Sequence, residues 1–167
     1  PKGASPKTAA SATKPPPAKP PAQGSSAPAK EEPFAPATIL VLGGYGTVGS
    51  SIARTLLEQS STAVVLIAGR DGERSAAFCK ALNLETGARD ERAKAVVADA
   101  SDVSTLSTSP RFDLLVNATT MTAVESVISL MRFAVSKRAS YLDLRGPIGL
   151  EAAVAKAVGD VGPAILM

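Results

Sequence analysis

Three glycines, Gly44, Gly46 and Gly49, stand in the spacing G-x-G-x-x-G inside the run Ile39-Leu40-Val41-Leu42-Gly43-Gly44-Tyr45-Gly46-Thr47-Val48-Gly49-Ser50-Ser51-Ile52-Ala53. The run reads as a buried strand, a tight turn and the first residues of a helix. Gly44 is expected to take the turn out of the strand. Gly46, with no β-carbon, lets a pyrophosphate approach the backbone, and Gly49 lets the helix press against the strand. The first amides of such a helix have no intrahelical partners and carry a partial positive charge, so they suit an anion. The chemistry this stretch could serve is dinucleotide binding, with Gly44, Tyr45, Gly46, Thr47, Val48 and Gly49 as candidate residues. A ligand-free turn between strand and helix is the plain alternative.

More candidates fall at the ends of later strands. The second strand closes on Ala68-Gly69-Arg70-Asp71. An NAD site usually has an acid there to accept from the ribose 2′-hydroxyl, and here Gly69 stands in that place. Arg70 offers a guanidinium that matches a 2′-phosphate, which favours NADP over NAD. A surface Arg70 paired with Asp71 or Glu73 is the competing reading. Asp99 closes the third strand, where an acid reaches an adenine amino group or serves as a turn or helix-capping residue. Asn117, Ala118, Thr119 and Thr120 follow the fourth strand, where small polar residues let the chain pass close to the ribose and nicotinamide; Asn117 is also a plain turn former. Tyr141 lies in a strand and lacks a lysine four residues on, so it reads as a strand aromatic. Asp143 and Arg145 read as structural, with a place near the substrate side as the alternative.

Composition narrows the field. The chain has 167 residues, no histidine and one cysteine. A His triad and a His-based metal site are excluded, as is an intrachain disulfide, and no metal site is expected. Cys79, beside Ala76, Ala77 and Phe78, reads as a small core residue. Residues 1–36 hold 10 of the 13 prolines and carry the whole net charge of +3, so the remainder is neutral. Nothing there suggests a basic face for nucleic acid. No apolar run reaches the ~20 residues of a membrane helix.

The elements needed to place these residues follow from periodicity. Residues 37–42, 63–68, 93–98, 112–117, 140–144 and 163–167 read as strands, and residues 47–59, 71–82, 122–135 and 148–158 as helices. The first helix is expected to bury Val48, Ile52 and Leu56. Alternating strands and helices with apolar strands predict an α/β fold, a doubly wound parallel sheet of the Rossmann type, over residues 37–167. Residues 1–36, rich in Pro, Ala, Ser and Lys, cannot bury a core. They are expected to be a disordered or extended tail, either a linker or the surroundings of a transit-peptide cleavage site, and a possible arm for a protein partner. The chain starts at Pro1 and ends inside an apolar run, so it is expected to be part of a longer polypeptide.

Val41-Leu42-Gly43-Gly44-Tyr45-Gly46-Thr47-Val48-Gly49, Ala68-Gly69-Arg70-Asp71, Val116-Asn117-Ala118-Thr119 and Tyr141-Leu142-Asp143-Leu144 together resemble the saccharopine dehydrogenase-like oxidoreductases over residues 38–167. The resemblance implies NADP, or less favourably NAD, held by Gly44, Gly46, Thr47, Val48, Gly49, Arg70, Asp99 and residues 117–119. It also implies a second, substrate-binding domain absent from this chain. Plastid-targeted members look similar, which fits the tail and an organellar, chloroplast stromal location, with the cytoplasm as the alternative. Residues 117–121 lack the Gly-Pro or Pro-Phe often found near that position in the family, so no catalytic residue is carried over. A structural subunit that keeps a dinucleotide pocket, docked through its N-terminal arm, is the second reading. A short-chain reductase or epimerase is a third, weakened by the missing Tyr-x-x-x-Lys.

Overall fold

β1 (Thr38–Leu42), β2 (Val64–Gly69), β3 (Ala93–Val97), β4 (Leu114–Asn117), β5 (Ser140–Asp143) and β6 (Ile165–Leu166) form one sheet in the order β3-β2-β1-β4-β5-β6. Every neighbouring pair is parallel. The computed structural model describes residues 37–87, 91–121, 123–144 and 165–166; the tail and the expected helix over residues 148–158 lie outside the described residues. Among the described residues the helices are α1 (Thr47–Gln59), α2 (Gly72–Glu85) and α3 (Val124–Ser136), with a 3-10 turn at Val103–Leu106. The strand order is that of a doubly wound dinucleotide-binding sheet, as the β-α alternation predicts.

Period-two alternation along the strands divides the core in two. Ile39, Val41, Val65 and Ile67 point to the face covered by α1 and α2, where Ala53, Leu57, Cys79 and Leu82 meet them. Leu40, Leu42, Leu66 and Ala68 point to the other face, against Val127, Leu130, Met131 and Ala134 of α3 and Leu106 of the 3-10 turn. Both faces are covered, which is why the strands read as continuous apolar runs. Each fully buried Leu, Ile or Val contributes about 1.5–3 kcal/mol. Arg92 ties the layers at the opposite end of the sheet. Its guanidinium donates to the carbonyls of Leu57 (2.9 Å) and Ala63 (3.2 Å), so it satisfies a carbonyl near the end of α1.

One expectation fails in α1. The buried residues are Gly49, Ala53 and Leu57, with Ile52 and Leu56 at their flank, and Val48 is 55% exposed. The helix is turned by one residue from the predicted face. Small side chains at Gly49 and Ala53 let its first turns lie closer to the sheet than larger apolar residues would allow, and Val48 is left at the mouth of the cleft described below.

Cys79 is buried in α2, and burial pushes its thiol up to about 11. At pH 8 only about one thiol in a thousand would be ionised, so alkylation should run roughly a hundredfold slower than for free cysteine. Mass spectrometry after iodoacetamide treatment should find the native protein unlabelled and the denatured protein labelled. Rapid labelling of the native state would contradict this placement.

Candidate functional site

β1 is central, and its neighbours β2 and β4 continue to opposite faces of the sheet. The loops that leave their carboxyl ends therefore part, and a crevice opens between them. It has a volume of about 510 Å³. Its walls come from the glycine turn, the end of β2, the segment after β3 and the segment after β4.

The glycine turn is hung on β2. The amides of Gly43 and Gly44 donate to the Ala68 carbonyl at 2.9 and 3.3 Å, and the Gly46 amide returns to the Gly43 carbonyl at 2.9 Å. Gly43, not Gly44, takes the left-handed conformation, with φ +72°. The expected turn role of Gly44 thus belongs to its neighbour. Gly44 is needed for space instead, because a β-carbon there would lie 2.9 Å from Cγ2 of Ile67 and 3.0 Å from the Val41 carbonyl. At Gly49 a β-carbon would overlap the Gly43 carbonyl oxygen and stand 2.8 Å from Cα of Gly44, so the helix packs on the turn itself.

Gly46 is the N-cap residue of α1, and no side chain caps the helix or places an acid in its first turn. Among the described residues, nothing accepts from the amides of Thr47 or Val48. α2 differs: Asp71 caps it through the Arg74 amide at 2.9 Å, and Glu73 lies in its first turn. The start of α1 thus offers an anion what the start of α2 already gives to its own carboxylates. Bare amides, glycines that a β-carbon would crowd and an open cleft together fit the pyrophosphate of a dinucleotide.

Tyr45, Gly46, Thr47, Val48, Arg70, Asp99, Ala118 and Thr119 all line this cleft, so these candidates come together. Gly44, Gly49 and Asn117 stand behind its wall. Arg70 is exposed, and among the described residues no carboxylate forms an ion pair with it. Asp71 is occupied as a helix cap, and neither it nor Glu73 forms the expected pair with the guanidinium. Asp99 Oδ1 accepts from the Ser101 hydroxyl (2.7 Å) and amide (2.9 Å), an Asx turn. Those two bonds, with the charge of Arg70 behind them, hold its carboxyl below the usual carboxylate range against a small desolvation effect. Asp99 is therefore a turn former and also an anion facing the cleft. Asp102 caps the 3-10 turn through the Ser104 amide at 3.0 Å.

Asn117 is 2% exposed and belongs to a buried polar network. Its side-chain amide donates to Asp143 Oδ2 (3.0 Å) and the Tyr141 hydroxyl (3.3 Å), while its oxygen accepts from the Thr119 hydroxyl (2.7 Å) and amide (3.2 Å). Tyr141 donates to Asp143 Oδ2 at 2.6 Å. Tyr141 is thus more than a strand aromatic. Burial, and then the bond to and charge of Asp143, raise its phenol above the ordinary tyrosine range, offset in part by Asn117. Through Thr119, this network fixes the wall segment after β4.

Thr120 lines the cleft beside Thr119, as expected, and so do Gly43, Ser101 and Met121, which were not expected there. A fourth glycine directly before the G-x-G-x-x-G spacing was the available signal for Gly43. Small or ordinary residues such as Ser101 carried none.

Comparison with known proteins bears on what the cleft holds. The family described as the saccharopine dehydrogenase NADP binding domain matches residues 39–160. No curated protein matches the chain. Among solved structures, apo saccharopine dehydrogenase (L-Glu forming) from Saccharomyces cerevisiae is 17% identical, with a TM-score of 0.51 over 71% of this chain and 24% of its own. YwfH, an NADPH-dependent reductase involved in bacilysin biosynthesis, is 16% identical, with a TM-score of 0.55 over 65% of this chain and 58% of its own. Menthone neomenthol reductase from Mentha piperita is 20% identical, with a TM-score of 0.46 over 53% of this chain. The chain spans 24%, 58% and 33% of these proteins' lengths respectively. At such identities the first two likenesses speak for the fold alone. The family match covers most of the chain and includes the glycine turn, Arg70 and the segment after β4. The chain belongs to the saccharopine dehydrogenase NADP-binding domain family, and its dinucleotide is NADP.

Proposed function

We propose that this domain holds NADP across the carboxyl ends of β1 to β4, as the nucleotide-binding part of an oxidoreductase whose substrate groups come from a second domain. The bare start of α1, lining the cleft beside the glycine turn, carries the reading. The amides of Thr47 and Val48 take the pyrophosphate, with Gly46 giving it access and Gly44 and Gly49 holding the turn and helix together. Arg70 takes the 2′-phosphate, and Asp99 accepts from the adenine amino group. Ala118 and Thr119, braced by Asn117, border the nicotinamide ribose. Bound NADP supplies a hydride donor or acceptor, and the chain's own part is to orient it and shield one of its faces. For the polypeptide as a whole we favour an organellar, chloroplast stromal location. The Ala-, Ser- and Lys-rich segment without an acid before Glu31 supports that reading.

Titration of NADPH and NADH, followed by nucleotide fluorescence, tests the assignment. The wild type should prefer NADPH. Arg70→Ala should weaken NADPH roughly ten- to hundredfold at low salt and leave NADH nearly unchanged, since a charge-assisted contact is lost for one nucleotide only. An unchanged preference in the variant would remove Arg70 from the site.

A further inference from the structure

Position 69 is where a nicotinamide site that selects the unphosphorylated nucleotide would carry its acid, about 20 residues beyond the last glycine of the turn. In this structure the ring of Tyr45 lies there. A β-carbon on Gly69 would overlap Cε1 of Tyr45 and stand 2.6 Å from its Cζ and 2.7 Å from its Oη. These three ring atoms are the nearest obstacles, and the backbone of Gly69 is not in the left-handed region. What a side chain at position 69 would meet is therefore the end of the Tyr45 side chain, and not a strain of its own backbone. The ring is held in place from two sides. Its hydroxyl accepts from the Asp71 amide at 3.3 Å, and the Arg74 guanidinium sits 5.0 Å from its centroid, within cation–π range. Tyr45 and Gly69 both line the cleft, next to Arg70.

We propose that Tyr45 is a specificity-determining residue: its ring, seated on Gly69, fills the space an acid would need to reach a ribose 2′-hydroxyl. The site then reads the 2′-position only through Arg70. Attraction of the phosphorylated nucleotide and exclusion of the acid are separate devices on two residues of one cleft. The same contact predicts a coupling between two residues 24 positions apart in the chain, in which position 69 accepts a side chain only when the ring is gone. The inference rests on the NADP reading above, but the contact itself does not.

The test uses the full chain as wild type, Gly69→Asp, Tyr45→Ala, the double variant Tyr45→Ala/Gly69→Asp, and Arg70→Ala as a control. NADPH and NADH affinities are measured for each. Gly69→Asp alone should lose NADPH without gaining NADH. The double variant should bind NADH roughly ten- to hundredfold more tightly than Gly69→Asp does. Equal NADH gain in the single and double variants would overturn the proposal. A wild type with no preference would instead overturn the underlying NADP assignment, and an Arg70→Ala control that keeps the preference would overturn the claim that the 2′-position is read only through Arg70. Melting temperatures of Gly69→Ala with Tyr45 present and with Tyr45→Ala give a readout that needs no nucleotide. Gly69→Ala should lower the melting temperature only in the Tyr45 background, and an equal effect in both would remove the steric contact on which the proposal stands. Tyr45→Phe, which keeps the ring, should retain the wild-type nucleotide preference; a gain of NADH there would also count against the proposal.

Discussion

Gly49→Ala is expected to cost both stability and nucleotide binding, whereas Gly46→Ala should cost binding with a smaller loss of stability. An alanine inside a helix ordinarily gains about 0.5–1 kcal/mol over glycine. At position 49 that gain meets a backbone obstacle. The new methyl would overlap the Gly43 carbonyl oxygen and stand 2.8 Å from both the Gly43 carbonyl carbon and Cα of Gly44. Neither group can rotate aside, because the Gly43 and Gly44 amides are anchored on the Ala68 carbonyl. Overpacking of this kind costs about 1–3 kcal/mol or more, so the balance is a net loss of about 1–2 kcal/mol. The strain is relieved by lifting α1 off the turn, which carries the Thr47 and Val48 amides away from the phosphate site. NADPH affinity should then fall roughly ten- to hundredfold, the scale of losing a hydrogen bond to a charged phosphate. At Gly46 the nearest obstacle is the Gly43 carbonyl oxygen at 3.1 Å, a tight contact and not an overlap, and φ is −76°, so alanine strains the free protein less than at position 49. Its methyl would stand in the path of the pyrophosphate. Thermal melting with parallel NADPH titration separates the two substitutions. A Gly49→Ala protein that melts higher than wild type and binds normally would show that α1 does not rest on the turn.

That contrast shows what the linear sequence could and could not carry. The spacing of Gly44, Gly46 and Gly49 between an apolar strand and a helix was enough to locate the crevice, because local geometry ties those residue types to a turn. The division of labour among them was not legible. Only the folded chain shows that Gly43 takes the positive φ, and that Gly49 meets the carbonyl of Gly43 and not the strand. Hydrophobic periodicity placed α1 correctly along the chain but turned it by one residue, since periodicity counts large apolar side chains and the interface here favours small ones. Arg70 could be read as a cation at the end of β2. Its freedom from Asp71 could not, because it depends on Asp71 serving as the cap of α2. Long-range pairings were least visible. Tyr45 reaches Gly69 from 24 residues away, and Asn117 reaches Asp143 only because β4 and β5 pair in a register that places them side by side.

Tyr141→Phe should destabilise the protein at neutral pH by about 2–4 kcal/mol and flatten its response to alkali. The substitution keeps the ring, which is 1% exposed, and removes only the hydroxyl. Asp143 Oδ2 loses its 2.6 Å donor and the Asn117 amide loses one of two acceptors, both in buried surroundings. A hydrogen bond to a charged group is worth about 1.5–3 kcal/mol, and leaving a buried partner short adds to that. The sign of the pH effect follows from the raised phenol. The folded protein holds the proton more tightly than the unfolded chain, whose tyrosines ionise near pH 10. The stability due to this group is therefore fully present below about pH 10 and declines as the pH rises through the folded value, at up to about 1.4 kcal/mol per unit. Urea denaturation at pH 7, 9, 10 and 11 measures it as the difference between wild type and variant, which cancels other alkaline titrations common to both. The gap should be widest at pH 7 and narrow above pH 10. A gap that stays constant with pH would mean that the Tyr141 proton is not held by Asp143, and Asn117 would then anchor Thr119 without the brace that the β5 end now supplies.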